Sequence, residues 1–124
     1  MRNVLLVYSS RKQVFPGYKC LLVGTKIQIA RHEVTALRIA KCPEIEMVFV
    51  VYEDGYSGMV ARMLDETTKK LIVVLLNVQY LHPRELLKKQ NRKLRIVMLS
   101  SNAEGSGPSQ ETLYEVARLL SKGT

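Results

Sequence analysis

Met47-Val48-Phe49-Val50-Val51, followed by Tyr52-Glu53-Asp54-Gly55, is the stretch whose reading decides the fold. Five apolar residues in a row, four of them branched or aromatic, have no alternation, so neither side of the segment is meant for water. A run this short that stops at acidic and turn-forming residues reads as a strand covered on both faces, as in a parallel sheet. Four further runs follow the same rule: Val4–Val7 before Tyr8-Ser9-Ser10, Cys20–Val23 before Gly24-Thr25, Leu71–Leu76 before Asn77, and Ile96–Leu99 before Ser100-Ser101-Asn102.

Between these runs lie helical signals. Gly55-Tyr56-Ser57-Gly58 makes a turn, with Ser57 as N-cap of a helix from about Gly58 to Thr67 in which Val60, Met63 and Leu64 share a face. Strands are expected at Met47–Tyr52, Lys70–Val78 and Arg95–Leu99. His82-Pro83 opens a helix with Leu86 and Leu87 on its inner side, since Pro suits the first helical position. A last helix runs from about Ser109 to Lys122 with Leu113, Val116, Ala117 and Leu120 as its stripe and Gly123 just past its end. Three consecutive strand–helix units imply a parallel sheet with right-handed crossovers.

The N-terminal third reads differently. Val4–Tyr8 and Lys19–Val23 are expected strands, and the Pro16-Gly17 turn between them leaves no helical stripe, so the two are antiparallel neighbours or are joined by an irregular loop. After Gly24, a helix from Thr25 would set Arg31 and Arg38 beside Ile27 and Val34, which makes a poor apolar stripe. The favoured alternative is a Gly24-Thr25 hairpin turn, a strand over Lys26–Ile29 and a helix from about His32 to Lys41, ended by Pro43. The expected fold class is α/β: one domain over residues 1–124, a three-layer sandwich with a mostly parallel sheet of five or six strands, helices packed on it, and N-terminal strands that are candidates for antiparallel pairing.

The chain of 124 residues is 47% hydrophobic and 24% charged, an ordinary globular balance. No aliphatic run approaches the ~20 residues of a membrane-spanning helix. The apolar stretch after Arg2 is cut by Tyr8-Ser9-Ser10-Arg11-Lys12, too early for a signal peptide, so a cytoplasmic protein without a membrane partner is expected. Cys20 and Cys42 form no Cys-x-x-Cys pair and are read as reduced, buried thiols; with His32 and His82 they give no metal-ligand spacing.

Net charge is +8, spread unevenly: residues 1–41 carry +7, residues 42–83 carry −3 and residues 84–124 carry +4. Such asymmetry favours an anionic partner, against the plainer reading of a basic soluble surface. The segment Arg84–Arg95 holds Lys88, Lys89, Arg92 and Lys93, which on a helix form a cationic row able to follow phosphates or simply a solvated face. Arg31 and Arg38 extend the candidate nucleic-acid-binding set. Six Tyr, two Phe and no Trp make base stacking less favoured than contact with the phosphate backbone.

At the strand ends, Ser9, Ser10, Glu53, Asp54, Ser100 and Ser101 are the candidate ligand-binding residues, because open α/β sheets bind ligands beyond the carboxyl ends of their strands. Each has a plainer explanation: Asp54-Gly55 is common turn chemistry, and Ser100–Ser109 is a strand-to-helix connection without the spacing of a Walker loop or of Gly-x-Gly-x-x-Gly. Gly-x-Ser-x-Gly is absent and no base is placed for a serine nucleophile, so no catalytic residue is assigned.

In length, and in Asp54 at the end of the third strand, the chain is similar to response-regulator receiver domains. Where those domains carry an acidic pair after the first strand and a Lys after the fifth, this chain has Ser9-Ser10 and Ser100-Ser101-Asn102. The resemblance is one of architecture and implies a regulatory or oligomerisation module without phosphoacceptor chemistry.

Three functions follow as expectations. The first is a non-enzymatic module binding nucleic acid or another polyanion, with no cofactor. The second is a nucleotide- or phosphate-binding enzyme with its site at the strand ends. The third is a module that forms homo-oligomers through bare strand edges.

Overall fold

The computed structural model describes residues 2–8, 22, 24–52, 55–67, 70–77, 93–100 and 108–122. Its strands are β1 (Arg2–Val7), β2 (Thr25–Ala30), β3 (Met47–Val51), β4 (Leu71–Asn77) and β5 (Leu94–Leu99). Its helices are α1 (Glu33–Ala40), α2 (Ser57–Glu66) and α3 (Gln110–Lys122). The strands form one sheet in the order β2-β1-β3-β4-β5, and every neighbouring pair is parallel.

The uninterrupted apolar runs earn their burial by alternation. Leu5, Val7, Val48, Val50, Ile72, Val74, Leu76 and Leu94 face one side, against Ala36, Ile39 and Ala40 of α1 and Met59, Val60 and Met63 of α2. Val4, Leu6, Met47, Phe49, Val51, Val73, Leu75, Val97 and Leu99 face the other, against Leu22 and, from α3, Val116 and Leu119. Two apolar interfaces around one sheet make the three-layer sandwich that the sequence implied. All five residues of β3 are buried, as a central strand with both faces covered must be.

Antiparallel pairing of Val4–Tyr8 with Lys19–Val23 is not confirmed, since all of the second segment but Leu22 lies outside the described residues. β1 and β2 pair in parallel, from Arg2 with Thr25 to Val7 with Ala30. Lys26–Ile29 is indeed strand and the helix after it runs over Glu33–Ala40; β2 already begins at Thr25, the second residue of the expected hairpin turn. Gly24 has a φ of 82°, a conformation that L side chains rarely adopt, and the Thr25 hydroxyl and amide both donate to the Leu22 carbonyl (2.6 and 3.2 Å). Leu22, expected in a strand, is a buried turn residue. The other residues of that expected strand, and the helix expected after His82-Pro83, lie outside the described residues.

Three side-chain assignments also shift. In α3, Ala117 is exposed while Thr112 and Leu119 turn inward, with Leu113 and Leu120 packed at the margin. Ser57 is the first residue of α2 and Tyr56 its N-cap; the Ser57 hydroxyl meets the Tyr52 hydroxyl at 2.9 Å. Cys42 is exposed, not buried, and its thiol donates to the Arg38 carbonyl. No helix among the described residues is long and apolar enough to cross a membrane.

Phe49 is among the largest fully buried side chains, and it belongs to the interface under α3. Phe49→Ala is expected to lower unfolding free energy by about 3–5 kcal/mol through the cavity it leaves. Tyr114→Ala, at a side chain 73% exposed, is expected to stay within about 0.5 kcal/mol. Urea denaturation with unchanged m-values checks both.

Candidate functional site at the carboxyl ends of the strands

The strand order reverses between β1 and β3: the chain goes from β1 outward to β2, then back across to β3. Right-handed crossovers place connections of opposite direction on opposite faces. Accordingly α1 and α2 lie on one face, while Leu22, at the end of the β1-to-β2 connection, lies on the other. At such a reversal the loops leaving the two adjacent strands part, and a crevice opens beyond their carboxyl ends.

Tyr8 follows β1 and Tyr52 follows β3 on this rim. Both continue the ladders: the Tyr8 amide donates to the Ala30 carbonyl (3.1 Å) and the Tyr52 amide to the Leu75 carbonyl (3.0 Å). Arg31 follows β2, and its guanidinium lies over the Tyr8 ring, 5.7 Å from the centroid. This cation–π contact fixes a positive group beside the end of β1 while leaving Arg31 exposed. Tyr52 and Tyr56 meet edge to face, with centroids 6.4 Å apart.

Because helices follow strands in a parallel fold, α1 and α2 begin at this rim. Neither N-cap residue, His32 or Tyr56, makes a side-chain capping bond. Their first-turn amides therefore add positive potential at the carboxyl ends. Glu33 offsets part of it and is itself paired with Arg62 of α2 (3.2 Å).

Beyond β5 the chemistry differs. Ser109 is the N-cap of α3: its hydroxyl accepts from the Thr112 amide (3.2 Å) and donates to the Thr112 hydroxyl (3.1 Å). Ser100, a candidate ligand residue, lies in the same cluster, with its hydroxyl 2.5 Å from that of Ser109 and 3.1 Å from that of Thr112. The Ser109 amide also donates to the Ser100 carbonyl (2.8 Å). These hydroxyls satisfy one another and tie β5 to α3. A groove of about 300 Å³ beside them is lined by Ile96, Met98, Glu111 and Glu115 among others, so its charge repels an anion.

Of the other ligand candidates, Ser9, Ser10, Glu53, Asp54 and Ser101 lie outside the described residues. So do Lys88, Lys89 and Arg92 of the nucleic-acid set. The three described members of that set do not form one patch. Arg31 is on the carboxyl rim, Arg38 is in the last turn of α1, which runs back toward the amino ends, and Lys93 immediately precedes the amino end of β5.

The amino ends are held by structural contacts. Lys70 Nζ donates to the carbonyls of Ala40 and Cys42, both at 2.5 Å, closing the C-terminus of α1. Burial there lowers the Lys70 pKa below its ordinary value, with the Cys42 thiol acting in the opposite sense. Lys41 pairs with Glu66 (3.2 Å).

Sequence reasoning missed Tyr8 and Tyr52 as rim residues. The signal available was their position, the first residue after two apolar runs. Arg31 was found through charge, but its partner Tyr8 comes to it only through the β1–β2 register.

The chain matches no family model, and comparisons with curated proteins and with solved structures likewise give no match.

Ser109→Ala is expected to cost about 1 kcal/mol, the usual value of a lost N-cap, with a lowered Tm in thermal denaturation followed by circular dichroism. Arg31→Ala is expected to leave stability within about 0.5 kcal/mol in the same experiment, because an exposed cation–π contact contributes little.

Proposed function

We propose that the protein is a non-enzymatic binding module for a phosphate-bearing partner, with nucleic acid as the favoured partner, contacted at the carboxyl-end rim. The observation that carries this reading is Arg31, exposed and held on the Tyr8 ring beside the reversal of strand order. The N-termini of α1 and α2, where the N-cap side chains His32 and Tyr56 make no capping bond among the described residues, add to the positive potential there. The net charge of +8 supports a polyanion rather than a single phosphate, because each further Lys/Arg–phosphate contact adds counterion release. Nothing in the described residues supplies a sequence-reading element, so contact with the backbone without base preference is the mode proposed.

A second reading, a mononucleotide held at the strand ends, is favoured specifically by the reversal between β1 and β3, where doubly wound sheets place such ligands. On that reading Asp54 is a magnesium-binding candidate.

Fluorescence anisotropy with duplex and single-stranded oligonucleotides separates the two. The polyanion reading expects binding at ~50 mM salt that weakens by at least about tenfold at ~200 mM. It expects Arg31→Gln to weaken all sequences alike and to reduce the salt slope by about one. Absence of binding at the lower salt sinks it. A saturable thermal shift with nucleotide and magnesium, lost in Asp54→Asn, would establish the second reading in its place.

A further inference from the structure

β2 is an edge strand, and its outer side differs from an ordinary protected edge. Its register with β1 is continuous over six residue pairs, without a bulge, and it contains no Pro. Lys26 is its one charged residue. Bulges, prolines and repeated charges are the usual devices that keep edge strands from pairing with other chains.

The direction of its main-chain groups follows from one bond. The Tyr8 amide donates to the Ala30 carbonyl. In a parallel pair, alternate residues turn both main-chain groups to the neighbour, so Ala30, Gln28 and Lys26 face β1. Ile27 and Ile29 therefore turn their amides and carbonyls outward, where no strand among the described residues pairs with them. Their side chains lie on the face of Val4 and Leu6, with which they are in register. Ile27 is half-buried there, and Ile29 remains 41% exposed.

We propose that this edge docks a second copy of the same chain, with the two β2 strands antiparallel about a two-fold axis at Gln28, so that two five-stranded sheets join into one. The strand is self-complementary in this register. Ile27 of each copy lies opposite Ile29 of the other, twice, so the residues with outward main-chain groups meet and each such pair exchanges two hydrogen bonds. The two isoleucines pack across the junction on one face, covering the exposed Ile29. On the opposite face Lys26 lies opposite Ala30, so no like charges meet, and Gln28 meets its own copy, where two amides can bond each other. An acidic peptide would find Lys26 but no second cation within the strand, whereas a second copy satisfies the outward amides and carbonyls of Ile27 and Ile29.

The contact is small, so the dimer is weak and concentration-dependent. Light scattering coupled to size exclusion, from about 5 to about 500 µM, is expected to show mass rising from 14.1 kDa toward twice that value. Ile29→Lys sets a cation on the junction and is expected to weaken association about tenfold, since the change occurs twice per dimer. Gln28→Glu brings two carboxylates together on the axis and is expected to weaken it about fivefold at neutral pH, with recovery as the pH falls. The Gln28 side chain is exposed, so this second variant keeps the test open if Ile29→Lys proves unstable by circular dichroism. A wild-type chain monomeric over the whole range overturns the proposal. A dimer unchanged or strengthened by Gln28→Glu also overturns it, because that result places Gln28 away from its own copy.

Discussion

The structure depends on the hydrogen-bonded ladder of β1, β3 and β4 running between two apolar layers. A parallel strand in the middle of a sheet has no wet side. Each residue must find an apolar neighbour above or below, and each amide and carbonyl a partner to left or right. Met47 to Val51 meet both demands at once: the side chains alternate between the layer under α1 and α2 and the layer under α3, while the backbone pairs with β1 and β4. Helices on both faces are a consequence of that burial. So is the three-layer form, since a parallel sheet of this composition without either layer would leave a row of Val, Leu and Phe in water.

The same constraint locates the chemistry. Parallel strands all end on one rim, and the helices that follow them begin there, so unpaired helical amides and strand-end side chains gather on the same side. The rim is not uniform. Near β1, β2 and β3 it carries Arg31 on Tyr8, the Tyr52–Tyr56–Ser57 contacts and two helix starts without side-chain caps. Near β5, hydroxyls close on one another and Glu111 and Glu115 set the sign of the charge. The side-chain charge is therefore of opposite sign at the two places, Arg31 at the first and Glu111 and Glu115 at the second. The amino ends carry a different kind of contact: Lys70 on the carbonyls of Ala40 and Cys42 uses its charge to finish a helix, leaving little to offer a ligand.

The two edges of the sheet express a different compromise. The central strands spend their apolar residues on burial, whereas β2 alternates half-buried and exposed positions along most of its length. That pattern lets Lys26 and Gln28 meet water on one face while Ile27 shelters on the other. Lys26–Ile29 was recognisable as a strand for this reason, although its weak alternation also fitted a poor helix.

What the sequence determined is what depends on local pattern. The runs at Val4–Val7, Met47–Val51, Leu71–Leu76 and Ile96–Leu99 are strands because an unbroken series of apolar residues is satisfied only by burial on both sides, and Ser109 through its hydroxyl and Pro43 through its ring mark helix limits. What tertiary structure decided is what depends on partners distant in sequence. Leu22 looked like strand because it is apolar, yet its burial comes from the layer it shares with α3. The inward turn of Thr112 brings its hydroxyl to that of Ser100, and the parallel sense of β1 and β2 is a register between segments distant in sequence. The juxtaposition of Arg31 with Tyr8 exists only because their two strands lie side by side, and strand order is a property of packing that no short window of residues contains.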